Sequence, residues 1–304
     1  MKRYFHATRP KFFPASLLPV LAGSAWGFMV SGQFDAAIFG IALLATLCVH
    51  AGANVLNDVG DDAGGTDRQN EDRIYPYTGG SRFIQAGILS ASGMARLGIT
   101  LLSIATVAGF WLFLVKGPMV LWFGIAGVLL ATLYSLGPVR LSAVGLGEIS
   151  VGVAFGILPV VGSAWLQSGT IDVGLVMFAL PISAWVAAIL LINEVPDIVP
   201  DEATGKRTLA VRLGNKGTAV LYALIHAFAA AIAVWLALAS PLPVVTPVVP
   251  FLLLLLAFKA SQAIRLGIND RPAMTKAIES TLAIHTIGSI WLVGCALFVA
   301  FWGS

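Results

Sequence analysis

Charge is what this sequence has least of. Only 11% of its 304 residues are Asp, Glu, Lys or Arg, against about 25% in an ordinary soluble domain. Hydrophobic residues make up 58%, and the mean hydropathy is +0.90. A soluble globule of this size needs far more charge to cover its surface. The scarcity excludes a soluble enzyme, a disordered chain and a nucleic-acid module. Cysteine is nearly absent. Cys48 and Cys295 both sit inside apolar runs, which leaves no disulfide framework and no metal-ligand spacing. There is no Ser/His/Asp set and no Walker-type glycine loop. Residues 1–11 are basic, but no small-residue cleavage pattern closes the first apolar run, so a cleaved signal is not expected. What remains is an abundance of apolar runs and 32 glycines, a feature of closely packed membrane helices.

A helix needs about 20 apolar residues to cross roughly 30 Å of hydrocarbon. Nine predominantly apolar runs qualify: 12–34, 36–57, 97–115, 118–138, 143–166, 173–194, 217–239, 243–265 and 280–302. Residues 217–258 carry no charge and are too long for one helix; Ser240-Pro241-Leu242-Pro243 divides them. With the N-terminus cytoplasmic, nine spans place 17 of the 18 basic residues inside and only Lys116 outside. That satisfies the positive-inside rule. The fold class expected is therefore all-α: a polytopic membrane protein with nine transmembrane helices, forming one domain over 1–304. Its C-terminus would lie on the opposite side of the cell inner membrane.

The acids are concentrated in two inner loops. Segments 58–96 and 194–216 hold ten of the fifteen. Both begin with one pattern, Asn54-x3-Asp58-x3-Asp62 and Asn193-x3-Asp197-x3-Asp201, at a constant offset of 139 residues. This suggests a repeat, spans one to four and five to eight, with the ninth appended. Spacing of four aligns side chains along one helical face, about 6 Å apart. Two such faces meeting at a cavity would gather at least four carboxylates. Unit charges about 4 Å apart repel by roughly 4 kcal/mol at an effective dielectric near 20, so a cation must join them. Hard oxygen ligands suit Mg²⁺, which commonly bridges carboxylates and substrate phosphates. Asn54 and Asn193, amides within apolar runs, are further candidates because such groups usually have a partner or ligand. Pro196 and Pro200 are expected to interrupt the helix where Asp197 and Asp201 must point.

These residues resemble the UbiA superfamily of intramembrane prenyltransferases, over essentially the whole chain. The likeness lies in Arg9-Pro10-Lys11, Asn57-Asp58-x2-Asp61 and Asp197-x3-Asp201. Within it, Gly64-Gly65-Thr66-Asp67, Thr78-Gly79-Gly80-Ser81-Arg82, Tyr134-x3-Pro138, Gly147-Glu148 and the 205–214 segment are similar to the 1,4-dihydroxy-2-naphthoate branch. The resemblance implies a helical bundle around a central cavity. It also implies Mg²⁺-dependent transfer of a polyprenyl chain from its diphosphate to an aromatic acceptor, as in menaquinone biosynthesis. Asp58, Asp61, Asp197 and Asp201 would be catalytic and, with Asp62, would hold the metal; whether Asp61 or Asp62 completes the first set stays open. Asn54, Asn57, Asp62, Arg82, Asn193, Lys206 and Arg207 would bind substrate, with Arg68 and Arg73 as nearby cations. The partners implied are polyprenyl diphosphate, the acceptor and membrane lipid, with no nucleic acid and no obligate protein partner. The chain departs from the branch at Glu194, Pro196 and Ser81, where Asn, a basic residue and Gly are common. Glu194 would oppose an acceptor carboxylate unless it is screened. The alternatives are 4-hydroxybenzoate, another quinone or lipid precursor, and, more distantly, an ion-coupled transporter with duplicated acidic helices.

Overall fold

The structure, a computed structural model, describes residues 2–64, 74, 76–78, 80–135 and 140–303. Its elements are helices: α1 (Lys2–Ala7), α2 (Pro14–Ser31), α3 (Ala36–Gly64), α4 (Ala91–Lys116), α5 (Met119–Ser135) and α6 (Gly147–Val151). After a π turn over Gly152–Ile157 follow α7 (Leu158–Ser168), α8 (Val173–Glu194), α9 (Ile198–Ala203), α10 (Leu209–Ala239), α11 (Val248–Leu266) and α12 (Arg271–Trp302).

Helical segments coincide with every apolar run, yet the count of long spans differs from expectation. Among the described residues seven stretches, not nine, are long and apolar enough to cross a membrane. Two causes account for this. Within the described residues the fourth run gives an apolar helix over Met119–Tyr134, about 24 Å at 1.5 Å per residue, and 136–138 of that run lie outside them. The last two runs form one apolar stretch, Val248–Trp302, of 55 residues. It is interrupted by a turn at Gly267–Asp270, where Gly267 has φ 60°, and α11 packs back against α12.

The helices begin where side chains cap them. The Asp35 carboxylate accepts from the Ala37 and Ile38 N–H groups, Ser90 from Gly93, Asp172 from Leu175, Thr208 from Val211 and Asp270 from Ala273. Such caps stabilise a helix start by about 1 kcal/mol. Asp35, Asp172 and Asp270 are thus engaged in capping.

The most buried helix is α8, packed against α10, α12 and the π turn. Its Trp185, Phe178, Ile182 and Leu191 anchor the main core with Tyr222, Leu236, Ile264 and Met274. On the other flank α3 and α4 pair, mostly open to the surroundings, as lipid-facing helices are. Between the two flanks α2 lies against α7 at backbone contact. A Cβ on Gly23 would fall 2.0 Å from the Val160 carbonyl oxygen, and one on Gly27 2.5 Å from that of Ala164. Small residues four apart allow this approach. A small cluster, Ala7, Val55, Leu89 and Met94, fastens α1 to the lower ends of α3 and α4. It supports the first acidic motif from beneath.

Candidate active site

The first motif rides on an unbroken helix. α3 continues past its apolar run to Gly64, which puts Asn54, Asp58 and Asp62 on one face as their spacing requires. Each grips a different piece of chain. The Asn54 Nδ2 donates to the Thr8 carbonyl at 3.3 Å. One turn on, the Asp58 carboxylate pairs with the guanidinium of the next residue, Arg9. It also accepts the Ser81 N–H at 3.2 Å and the Ser81 hydroxyl. Asp58 is only 2% exposed. Another turn on, Asp62 accepts from Gln85 Nε2 at 3.2 Å. Ser81 and Gln85 are themselves four apart, so the loop docks on α3 in matching register. Asn57 and Arg82 make interactions of their own. Asp61 lies in α3, but its side chain is outside the described set, and Asp67, Arg68, Arg73, Gly79 and Pro138 lie outside the described residues.

The loop is also tied across the bundle. The Tyr77 hydroxyl donates to Glu279 on α12 at 3.0 Å, and Lys11 Nζ stands 5.2 Å from the Tyr77 ring centre. Burial, then the hydrogen bond and charge of Glu279, push the Tyr77 phenol above its usual range, so it remains a donor. Between the N-terminal segment and the loop lies a cleft of about 280 Å³, lined by His6, Arg9, Lys11, Gly80, Ser81 and Phe83 among others. Its rim is basic, and Asp58 is the buried acid bound to that rim.

The second motif is built differently. α8 stops at Glu194, and Asp197 adopts φ −96°, ψ 4° before α9 begins. Pro196 and Pro200 cannot continue the hydrogen-bond ladder. Asn193, Asp197 and Asp201 therefore occupy a helix end, a corner and a new helix rather than one continuous face. Asp201 pairs with Lys206 at 3.0 Å. Arg207 reaches Glu202 at 3.7 Å with both side chains exposed, a pair of small energetic weight. Its N–H donates to the Ala143 carbonyl at 2.8 Å, and Arg212 holds the Val144 and Arg207 carbonyls, each at 2.9 Å. The 205–214 segment thus clamps the loop before α6. The Asn193 Oδ1 is buried with no hydrogen-bond partner among the described residues. Glu194 turns toward Glu148, carboxyl against carboxyl, both buried.

The gathering of four carboxylates is not seen directly: among the described residues no three His, Cys, Asp or Glu side chains converge on one point. Asp58 and Asp201 instead each carry a cation from the chain itself. His50, one turn before Asn54 on α3, packs between Phe13 and Phe155 and shares a hydrogen bond with Ser16. Ser81 and Gln85 were missed as site residues, and Arg9 was noted only within its tripeptide. Their partners are 23 and 49 residues away in sequence, and no spacing rule links such positions.

Residues 16–287 match the model of the UbiA prenyltransferase family. The chain belongs to that family. It is an enzyme of prenyl transfer and a multi-pass membrane protein. A 1,4-dihydroxy-2-naphthoate octaprenyltransferase of Haemophilus influenzae is 33% identical over 76% of this chain and 75% of its own length. The enzyme of that name from Mycobacterium tuberculosis is 30% identical over 98% of this chain and 97% of its own. The fold is that of a UbiA homologue from Aeropyrum pernix (TM-score 0.68, 19% identity, 94% of this chain and 98% of that one). It also matches one from Archaeoglobus fulgidus bound to DMAPP and Mg²⁺ (TM-score 0.66, 17% identity, 94% and 99%).

Proposed function

We propose that this UbiA-family enzyme transfers a polyprenyl chain from polyprenyl diphosphate to 1,4-dihydroxy-2-naphthoate at the cytoplasmic face of the cell inner membrane. The observation that carries this reading is Asp58, a buried carboxylate paired with Arg9 on a rim that also holds His6 and Lys11. A basic rim attracts an anion, and a buried acid demands a cation. A diphosphate accompanied by divalent ions meets both demands. The names of the bacterial relatives support the acceptor, and the DMAPP and Mg²⁺ of the Archaeoglobus homologue support the donor substrate.

The donor set fits Mg²⁺. Asp58, Asp61 and Asp62 on one arm and Asp197 and Asp201 on the other are hard oxygen ligands. The buried Asn193 Oδ1, with no partner among the described residues, is an acceptor suited to a positive group. When bound, Mg²⁺ would neutralise the charge that builds on the diphosphate as the allylic C–O bond breaks. The chain's own cations, Arg9, Arg82, Lys206 and Arg207, hold the phosphate oxygens and fix their orientation. The surrounding apolar helices keep water from the allylic carbon. The acceptor's ring carbon forms the new C–C bond, and its carboxylate leaves as CO₂. In this reading the N-terminus lies inside, and both motifs lie at the same membrane face as the basic residues.

The test is a membrane assay with labelled polyprenyl diphosphate and either 1,4-dihydroxy-2-naphthoate or 4-hydroxybenzoate. CO₂ release in step with naphthoate prenylation is expected. Strong prenylation of 4-hydroxybenzoate with none of the naphthoate would overturn the acceptor while leaving the family intact.

A further inference from the structure

Among the described residues only two other than glycine hold a left-handed backbone: Arg9 at φ 54° and Arg82 at φ 55°. A Cβ disfavours that region, so the surroundings must hold both residues there. Both flank one carboxylate. Arg9 pairs with Asp58 directly, and Ser81, the chain neighbour of Arg82, donates twice to it. Disfavoured backbone gathered around a single buried acid points to function.

The contacts show what that function is. Arg9 binds Asp58 Oδ1, and the Ser81 N–H and hydroxyl converge on Oδ2, the N–H also standing 3.5 Å from Oδ1, so both oxygens already carry donors. The grip is incomplete on the arginine side: its Nε is buried without an acceptor among the described residues. The planar fork of a guanidinium is suited to two parallel bonds to an oxyanion, and among the described residues Arg9 makes one. Nor is Arg9 trapped. Its side chain is 22% exposed, against 3% for Asp58, and it lines the basic cleft beside Lys11 and His6. A guanidinium and a divalent ion cannot share one carboxylate oxygen without strong repulsion.

We infer that Arg9 is a resident counter-ion of Asp58, which a divalent cation must displace and which turns into the cleft to take up an anionic ligand. The inference rests on Asp58 being a metal ligand. It makes cation and anion loading mutually dependent. The metal alone competes with Arg9 for Asp58. The anion gives the released guanidinium somewhere to go and completes its fork. An enzyme so arranged binds neither partner well by itself, which protects it from idle loading in a cell rich in Mg²⁺.

The experiment measures Mn²⁺ binding to the purified full-length protein in detergent, by calorimetry or by loss of the free-ion EPR signal, without any diphosphate. Arg9→Gln should bind Mn²⁺ roughly tenfold more tightly than wild type, a shift of one decade in Kd. Binding equal to or weaker than wild type overturns the inference. If Arg9→Gln does not fold, as read by its melting profile, Arg9→Lys replaces it. That variant keeps the charge but loses the fork, and it should still bind several-fold tighter; no gain overturns the inference equally. Asp58→Asn separates the two levels. If it binds Mn²⁺ as wild type does, Asp58 is not a metal ligand and the functional reading itself fails. If it loses binding while the Arg9 variants show no gain, only the counter-ion is refuted.

Discussion

Replacing Asp58 with Asn removes one charge and almost no volume. It isolates what the carboxylate contributes. In the structure that group accepts three donors, from Arg9, the Ser81 N–H and the Ser81 hydroxyl, while 2% exposed. Breaking a fully buried ion pair costs about 3–5 kcal/mol. Arg9 is 22% exposed and can rehydrate, so a stability loss nearer ~2 kcal/mol is expected for Asp58→Asn. The catalytic loss should be larger. Removing a group that positions charge on a leaving oxyanion costs about 10²–10³ in turnover, or roughly 2.7–4 kcal/mol. The assay is prenyl transfer in detergent with saturating Mg²⁺, run well below the melting temperature of the variant. A structural role alone would lower the melting point yet leave near-wild-type turnover in the cold. A folded Asp58→Asn protein turning over within about threefold of wild type would refute the reasoning.

Two other outcomes follow from the geometry. Asp197→Ala should lose turnover by about 10² or more while remaining folded, because Asp197 is half-buried at the corner between α8 and α9 rather than in a core; an unimpaired variant would leave the second motif without a role, and EDTA should abolish wild-type transfer until Mg²⁺ is returned. Gly27→Leu should lower the melting temperature sharply, since its Cβ would meet the Ala164 carbonyl at 2.5 Å, while Gly124→Leu, with nothing within 4 Å, should melt as wild type does; equal melting of the two would disprove the close contact of α2 with α7.

The membrane class was legible because the hydrocarbon core imposes one simple rule on length and polarity. The helix ends were less so. α4, α10 and α12 begin six to nine residues before their apolar runs, because Ser90, Thr208 and Asp270 start each helix in the polar region. Hydropathy marks where a helix enters lipid, whereas the cap marks where it starts. The spacing argument held for the first motif because nothing between Asn54 and Asp62 breaks a helix. It did not hold for the second, where Pro196 and Pro200 place three side chains on three separate pieces of backbone.

The two arms therefore differ in how they carry their charge. Asp201 is neutralised locally by Lys206, five residues along in the same turn-and-helix unit, and such a partner can be guessed from sequence. Asp58 is neutralised by Arg9 from before the first span, which no local pattern discloses. A long-range pair can form only when α1, α2 and α3 are already packed, so the charge of the first motif is coupled to assembly of the N-terminal half. Of the three ion pairs among the described residues, two end on motif acids and the third on Glu202 beside one. In a chain with so few charges, elsewhere used mainly to cap helices and set orientation, that concentration is itself evidence. Ionic contacts are expensive next to lipid, and this protein places them at the face where an anionic substrate and its cations would arrive.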